Sequence, residues 1–180
     1  MALTNAHCRL CGSTAKKTER GETLSVSADD FRITDGRYGL VSTIYQCTQC
    51  DFLFCPEVNN ALQGYEAMDD PDYDVNRKQR SQQSHKILSA IEKLQTPSTL
   101  LDIGAGSGIM VEAAVQRGWQ VQGVEPSNAL ANIAIERGLK VHQGVLPHPK
   151  VTTLFDVTTL IDVIEHVEDP VGLLQNATAQ

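Results

Sequence analysis

The chain has 180 residues, with 22 acidic and 15 basic side chains, a formal net charge of −7 and 41% hydrophobic residues, which suits one medium or two small globular domains. Its basic residues form no large cluster, so a nucleic-acid partner is not expected. No apolar run approaches ~20 residues and the N-terminus lacks an apolar signal segment, so we expect no membrane span and a cytoplasmic location.

All five cysteines lie in the first third of the chain, where we predict a small module over residues 1–58. Four of them form two Cys-x-x-Cys pairs, which in a reducing compartment indicate a metal site rather than disulfides. Four thiolates suit tetrahedral Zn²⁺ in a closed structural site that leaves no position open for catalysis. The sequence therefore predicts structural zinc held by Cys8, Cys11, Cys47 and Cys50.

Other interpretations of the cysteines stay open. The thiols could be unmetallated, and His7 could serve as a ligand, although a solvated terminus is the simpler interpretation. A thioredoxin-like role is disfavoured because neither pair opens a helix after a strand. We interpret Cys55 as a buried apolar residue. Gly12, and Asp51 in the equivalent place, tolerate the left-handed backbone that such a pair needs.

Residues 59–84 are polar and acidic, and we predict a linker or a lid there. Aspartates are concentrated between Asp69 and Asp74, around a proline. Tyr65, Tyr73 and Arg77 are side chains that would serve a lid, whereas a plain linker would leave them solvated.

From His85 onward, helical and strand patterns alternate. Four strands are predicted, at residues 99–103, 120–124, 140–142 and 156–161. A helix is predicted before each of the first three strands. Their apolar stripes are formed, in chain order, by Ile87, Leu88, Ile91 and Leu94, by Met110, Val111, Ala114 and Val115, and by Leu130, Ile133 and Ala134. The alternation predicts an α/β fold, a Rossmann-like parallel sheet with flanking helices over residues 85–180.

The helix boundaries carry their own signals. Pro97 ends the first helix, while Gly118 and Gly138 are good C-terminal caps for the next two. Ser127 can cap the third helix at its start, and Asp169-Pro170 begins the last one, because proline fits the first turn.

The glycine-rich turn after the first of these strands is the strongest functional signal. It reads Gly104-x-Gly106-x-Gly108, and Asp102 stands two positions before it. Glycines let the backbone approach a ligand closely. Glu125, at the tip of the next strand, is placed to accept hydrogen bonds from a ribose diol. Ligands of parallel sheets bind at the carboxyl ends of the strands, where all of these residues meet.

Two common nucleotide motifs do not fit this loop. A nicotinamide fingerprint has one more residue before its last glycine, and a Walker loop would continue with Gly-Lys-Ser/Thr. The charge of Asp102 disfavours a pyrophosphate and favours an ammonium group. The cofactor should therefore be cationic near the loop and carry a ribose near Glu125. The alternatives are a tight turn in a protein that has lost its cofactor, and a solvated carboxylate at Glu125.

These residues resemble motif I of the class I S-adenosylmethionine-dependent methyltransferases, in the run Leu101-Asp102-Ile103-Gly104-Ala105-Gly106-Ser107-Gly108. Val124-Glu125-Pro126-Ser127 is similar to the family's second acidic signature. The fourth-strand region, from Phe155 to Pro170, resembles the branch that contains quinone-biosynthesis, natural-product and sugar methyltransferases. Cysteine pairs ahead of such a domain, with Phe31 to Asp35 and Tyr38-Gly39, resemble a bacterial architecture that includes sugar C-methyltransferases.

The resemblance implies a cofactor site, carried over by position. Asp102 would lie near the methionine amino group, and Glu125 would hold the ribose hydroxyls; Pro126 is a further implied cofactor residue. No acid follows the third strand, so the backbone of Val145 or Leu146 would take its place at the adenine. The other implied cofactor residues form the glycine loop and the end of the fourth strand: Gly104, Ala105, Gly106, Gly108, Ile161 and Asp162.

The function implied is methyl transfer to a small-molecule acceptor of sugar, quinone-like or natural-product type. His166 is a candidate general base, although a histidine that only orders its loop is the favoured interpretation. The family's sheet has seven strands and the sequence stops soon after the fourth, so we expect a fragment with the cofactor half-site and weak or no turnover. The alternative function is a non-catalytic zinc-containing interaction module with a vestigial Rossmann-like half. Oligomeric state is not predicted.

Overall fold

A computed structural model describes residues 6–18, 43–55, 61–68, 70 and 72–180. The segment with Phe31 and Tyr38, used in the resemblance above, lies outside these residues. Within them, no helix has the length and apolar character needed to cross a bilayer.

The cysteine-bearing segment forms a small antiparallel sheet. Its strands, in the order in which they pair, are β1 (Ala6–His7), β2 (Thr14–Lys17), β3 (Tyr45–Cys47) and β4 (Leu53–Phe54). Among the described residues, the buried core of this sheet is very small and consists of Cys8, Tyr45, Cys47 and Phe54. Two of these four side chains belong to the predicted metal ligands, so the metal site and the core of the module coincide.

Two helices follow. The first, α1, spans Ala61–Ala67, and a turn at residues 72–76 leads into α2, Arg77–Ile91. Helix α2 thus crosses residue 85, where the predicted methyltransferase segment begins. The helix ends well before Pro97, and Leu94 is 91% exposed in the turn that follows. Its assignment to the apolar face of this helix was wrong.

The C-terminal part is a four-stranded parallel sheet with helices, in the order β5 (Thr99–Ile103), α3 (Ile109–Gln116), β6 (Gln120–Glu125), α4 (Asn128–Glu136), β7 (Val141–Gln143), β8 (Val157–Leu160), a 3-10 turn (Ile164–His166) and α5 (Pro170–Thr178). The strands pair in the order β7-β6-β5-β8, all in parallel. The predicted α/β class and its crossover connections are confirmed. The predicted strand ends differ by at most one residue.

Apolar clusters cover both faces of this sheet. Alternation along β5 sends Leu100 into one cluster and Leu101 into the other, and both side chains are fully buried. The first cluster contains residues of α2, α3 and α4, and the second includes Ala177 of α5. Val115, placed on the apolar stripe of α3, is 51% exposed. Two covered faces make the sheet a rigid platform for the loops at its carboxyl end.

Candidate functional site

The glycine loop joins β5 to α3. The amides of Gly104 and Ala105 both donate to the carbonyl of Val124, at 2.9 and 3.0 Å, and so bind the loop to β6. Gly106 has φ +54°, and a Cβ there would come within 2.3 Å of the Tyr73 Oη. No other residue type fits this position without displacing the tyrosine.

Gly108 permits packing on a different side of the loop. Its φ is +80°, and a Cβ would lie 2.4 Å from Leu139 Cδ1 and 3.1 Å from the Ala134 Cβ. It is the residue that precedes α3, which begins at Ile109. This glycine therefore allows the start of α3 to approach α4.

Glu125 ends β6 and folds back onto the loop. Its Oε2 accepts a hydrogen bond of 2.7 Å from the Gly106 amide, and its Oε1 accepts one of 2.8 Å from the Ser127 amide. Burial raises the pKa of this carboxyl, and the two amide bonds oppose the shift. The residue is only 4% exposed, so the alternative of a solvated carboxylate is wrong. Each oxygen keeps a second acceptor position for a ligand hydroxyl.

Asp102, in β5, is the second buried carboxyl at this edge of the sheet. It is 3% exposed, and its Oδ1 accepts a hydrogen bond of 2.7 Å from Thr159 Oγ1 in the neighbouring strand β8. Burial raises the pKa of Asp102 to about 7, with the charge of Glu125 acting in the same direction and the Thr159 bond against it. A cation bound beside Asp102 would stabilise its ionised form.

A segment ahead of the sheet covers the loop. We call Ala61–Met68, Asp70 and residues 72–76 the strap. In it, Tyr73 lies against Gly106, as described above. The guanidinium of Arg80, in α2, stacks 4.1 Å from the centroid of the Tyr73 ring. Burial raises the pKa of Tyr73; the charge of Arg80 opposes the shift, and those of Glu125 and Asp102 add to it.

The strap also contacts residues that follow β6 and β8, at the carboxyl ends of these strands. Ser127 Oγ donates to the carbonyl of Met68 at 2.9 Å. The ring of Tyr65 in α1 meets the His166 ring edge-on, with centroids 5.6 Å apart. His166 itself lies in the 3-10 turn after β8, 3.9 Å from the Glu165 carboxylate.

Four further residues implied by the resemblance lie after strands β6, β7 and β8. Val145 is 41% exposed, and Ile161 packs at the edge of the first apolar cluster. Asp162 is exposed and has φ +54°, which marks a sharp turn after β8. The carbonyl of Pro126 accepts a bond of 3.1 Å from the Gln143 side chain, which links the ends of β6 and β7.

Two contributors to this site were missed from the sequence. Thr159 stands inside an ordinary strand pattern, and only the pairing of β5 with β8 reveals that it faces Asp102. Ser127 was predicted as a helix cap, which its 3.2 Å bond from the Leu130 amide confirms, but its bond to the strap has no sequence signal.

The four predicted metal ligands come together at the other end of the chain. Their sulfur atoms lie within 4.8 Å of one another, with Cys8–Cys50 and Cys11–Cys47 separations of 3.7 and 3.5 Å. Within each pair, two backbone amides point at the first sulfur, at 3.3 to 3.5 Å. Each pair is followed by a residue of positive φ, +74° at Gly12 and +59° at Asp51, as predicted.

The sulfurs influence one another's ionisation. Hydrogen bonds with Ser13 and, to a smaller extent, with Cys47 lower the pKa of Cys11 to about 6. For Cys50, a backbone bond at Phe52 acts to lower the pKa, but desolvation and the neighbouring thiols prevail and raise it to about 12. Four sulfurs this close resist carrying four negative charges, and a divalent cation would remove that repulsion.

Comparison with known proteins agrees with the fold. The ubiquinone biosynthesis O-methyltransferase of Stutzerimonas stutzeri is 33% identical over 84 residues, 42% of this chain and 36% of that protein. The corresponding enzyme of Haemophilus ducreyi is 36% identical over 92 residues, 44% of this chain and 39% of that protein. The chain thus spans little more than a third of the length of these curated relatives.

Among solved structures, the plantazolicin methyltransferase BpumL, in complex with SAH, superposes with a TM-score of 0.52. The match has 20% sequence identity and covers 67% of this chain and 52% of that one, which establishes a shared fold. The sequence profile of the methyltransferase domain family matches residues 75–180, more than half of the chain and all of its parallel sheet. The chain therefore belongs to the methyltransferase domain family.

Proposed function

We propose that this chain binds S-adenosylmethionine and serves methyl transfer to a small-molecule acceptor. The observation that carries the proposal is the pair of buried carboxyls, Asp102 and Glu125, on either side of a glycine loop at the carboxyl edge of a parallel sheet. Burying two carboxyls this close costs free energy unless a ligand supplies a cation and hydroxyl donors. An α-amino acid joined through its side chain to a ribose supplies both.

The residues present fit the cofactor in three places. Asp102, when ionised, pairs with the ammonium group of the methionine part. Glu125 accepts from the ribose hydroxyls while it keeps its bonds to the Gly106 and Ser127 amides. Tyr73, with its hydroxyl against Gly106 and Arg80 on its ring, offers donors to the cofactor's carboxylate. When bound, the sulfonium supplies the transferable methyl group.

The chain's part in the reaction is to hold the reacting groups in position and to shield them from water. In-line transfer from a sulfonium needs collinear nucleophile, carbon and sulfur in a site that excludes water. The sheet, which is covered on both faces, fixes the glycine loop, and the strap lies against that loop through Tyr73. The relatives named for ubiquinone biosynthesis support a small-molecule acceptor, of quinone-like, sugar or natural-product type. The edge-on contact with Tyr65 supports His166 as a residue that orders the loop after β8, with a general-base role as the alternative.

We propose further that the cysteine cluster holds one structural Zn²⁺. Tetrahedral coordination with zinc–sulfur bonds of about 2.3 Å places sulfurs about 3.8 Å apart, close to the separations found here. The backbone amides that point at Cys8 and Cys47 stabilise thiolates. Four protein ligands leave no open position, so the metal's role is to hold the module together.

Calorimetry with S-adenosylhomocysteine tests the cofactor proposal directly. We expect the chain to bind it, and Glu125→Gln to weaken binding at least tenfold because the amide cannot accept from both hydroxyls and both backbone amides. Glu136→Gln, an exposed glutamate of α4, is the matched control and should bind as the wild type does. If titration of the folded wild type with S-adenosylhomocysteine gave no heat of binding, the proposal would be refuted and a non-catalytic zinc-containing interaction module would be favoured.

A further inference from the structure

A network of ion pairs joins the strap to the glycine loop, with Asp74 at its centre. Asp74 Oδ1 accepts a hydrogen bond of 2.7 Å from Ser107 Oγ, and Asp74 Oδ2 accepts one from Arg137 Nη2. Arg77 Nη1 lies 3.4 Å from Asp74 Oδ1, and Arg77 Nη2 donates to Glu112 Oε2 at 2.5 Å. We call these five residues the Asp74 cluster.

The members of this cluster come from separate parts of the fold. Asp74 precedes α2, Arg137 follows α4, and Ser107 lies fully buried inside the glycine loop. Arg137 contacts the loop a second time, through a 3.3 Å bond from Nη1 to the carbonyl of Ser107. One aspartate therefore connects the strap, the loop and the end of a helix across the edge of the sheet.

The charges in the cluster are balanced and partly shielded from water. Two arginines face two carboxylates, and the side chains of Asp74 and Arg77 are 29% and 24% exposed. Burial alone would raise the pKa of Asp74, but the bonds from Arg137 and Ser107 and the charges of Arg137 and Arg77 outweigh it and hold the pKa below its usual value. A connected set of charge-assisted bonds is stronger than a lone exposed ion pair.

The anchored residue is the direct neighbour of Tyr73. The hydroxyl of Tyr73 occupies the space beside Gly106, so that any Cβ on this glycine would clash with it. The residues on either side of this Tyr73-Asp74 pair, Asp72 and Val75, are exposed. Asp74 therefore bonds to the loop through its side chain directly beside Tyr73, whose ring also contacts Arg80 of α2.

We propose that Asp74 is a positioning residue for cofactor binding, which acts by holding Tyr73 over the glycine loop. Asp74 binds Ser107 and Arg137, and Tyr73 provides the face toward the ligand. The inference rests on the proposed function for the identity of the ligand. The anchoring of the strap by Asp74 does not depend on any ligand.

The test compares Asp72 and Asp74, two aspartates of one turn that differ in burial and in their partners. Asp74→Asn keeps the shape but loses the charge, and its amide nitrogen faces an arginine donor. Asp72→Asn makes the same chemical change at an exposed position and is the control. Two properties are measured: the affinity for S-adenosylhomocysteine, by calorimetry, and the amide hydrogen exchange of residues 72–80 in the ligand-free chain.

We expect Asp74→Asn to weaken binding about tenfold, the effect of losing charge-assisted hydrogen bonds, and to speed exchange in residues 72–80. Asp72→Asn should change neither property. If Asp74 acts through Tyr73, the losses are not additive, and Asp74→Asn has little further effect on affinity in a Tyr73→Ala background. A general structural defect would instead give additive losses and a lower melting temperature.

The outcomes separate this inference from the proposed function. Unchanged exchange in Asp74→Asn overturns the inference, whether or not the wild type binds the probe. Additive affinity losses also overturn it. A wild type that fails to bind the probe refutes the cofactor proposal; faster exchange in Asp74→Asn alone would then support the anchoring of the strap and overturn its role in cofactor binding.

Discussion

The two ends of this chain are stabilised by different means. The parallel sheet of residues 99–160 has an apolar cluster on each face, so its strands are covered on both sides. The small sheet of residues 6–54 has four buried core side chains in its described part, and two of them are cysteines of the four-cysteine cluster. Apolar burial alone can stabilise the first, whereas domains with a core as small as this described one are commonly stabilised by a cross-link or a metal.

The difference also shows what each half can do. In the parallel sheet, rigidity comes from the core, so the carboxyls at its edge are free to serve a ligand at some cost in stability. In the cysteine module, two of the clustered cysteines belong to the described core, so the residues that would hold a metal also contribute to its packing. Perturbations that act on one half should therefore leave the other unchanged, and the following experiments exploit this.

Metal removal should have the largest effect. Chelation, or the substitution Cys11→Ser, should remove zinc from the chain and unfold the cysteine module, because structural zinc contributes on the order of 10 kcal/mol to such domains. Cys11 is exposed, so serine replaces a ligand without opening a cavity. Metal analysis should give one zinc per chain, and amide NMR signals of β2 and β3 should lose their dispersion while those of β5 and β6 keep it.

The control is Cys55→Ser, which changes a cysteine outside the cluster and should retain the metal. Persistence of the β2 and β3 signals in the metal-free chain would show that the small core suffices. That result would abolish the contrast between the two ends.

Next in size is a substitution in the glycine loop, compared with one elsewhere. Gly106→Ala introduces a Cβ within 2.3 Å of the Tyr73 hydroxyl, whereas a Cβ on Gly118 meets nothing within 4 Å. Both glycines have positive φ, so each alanine costs roughly 1–2 kcal/mol of backbone strain. The clash should make Gly106→Ala costlier by about another 1–2 kcal/mol in urea unfolding. Equal losses would mean that Tyr73 moves aside freely.

A third experiment uses pH, which should act on the parallel sheet through Asp102. The pKa of Asp102 is raised to about 7, above the value of 3.8 for an unperturbed aspartate. The folded state therefore keeps a proton that the unfolded state releases, and the free energy of unfolding should fall as pH rises from about 4 to about 7. Binding of an ammonium ligand requires the ionised carboxyl, so affinity should rise over pH 5 to 7, up to tenfold per unit, and then level off.

Asp102→Asn isolates this contribution from that of Glu125, whose pKa is also raised. The variant should bind S-adenosylhomocysteine weakly, and its affinity should change less with pH than that of the wild type. Calorimetry at several pH values measures both. An affinity that falls toward pH 7 in the wild type would contradict the assignment of Asp102 to the ammonium group.

The sequence predicted local features well. The bounds of β5, the cap at Ser127, the positive φ of Gly12 and the clustering of the cysteines each follow from a few adjacent residues. The position of Glu125 at the loop also followed, because parallel strands bring their carboxyl ends together.

Features that depend on distant partners could not be predicted. Leu94 continues the helical spacing of α2, but the chain turns before it and nothing covers the side chain. Asp74 appears in an acidic run typical of a solvated segment, yet it binds Ser107 and Arg137, which are far away in the sequence. Thr159 likewise becomes a partner of Asp102 only through the strand order. The periodicity of a sequence indicates which face of a helix or strand is apolar, but not which residues pack against that face.

The smallest effect expected is at a helix cap, and it compares a buried cap with an exposed one. Ser127 Oγ accepts from the Leu130 amide at 3.2 Å and donates to the carbonyl of Met68 at 2.9 Å, and the residue is fully buried. Asp169 caps α5 by accepting from the Gly172 amide at 2.8 Å on the surface. Ser127→Ala should cost about 1–2 kcal/mol in urea unfolding, and Asp169→Ala about 0.5–1 kcal/mol, because water replaces only the exposed partner.

Hydrogen exchange distinguishes the two roles of Ser127. Since its hydroxyl also binds the strap, Ser127→Ala should speed the exchange of amides in α1 as well as at the start of α4. Ser127→Thr restores a hydroxyl and should recover part of the stability. If only α4 responds, the bond to Met68 contributes nothing, and the strap is held by the Asp74 cluster and Tyr73 without help from the tip of β6.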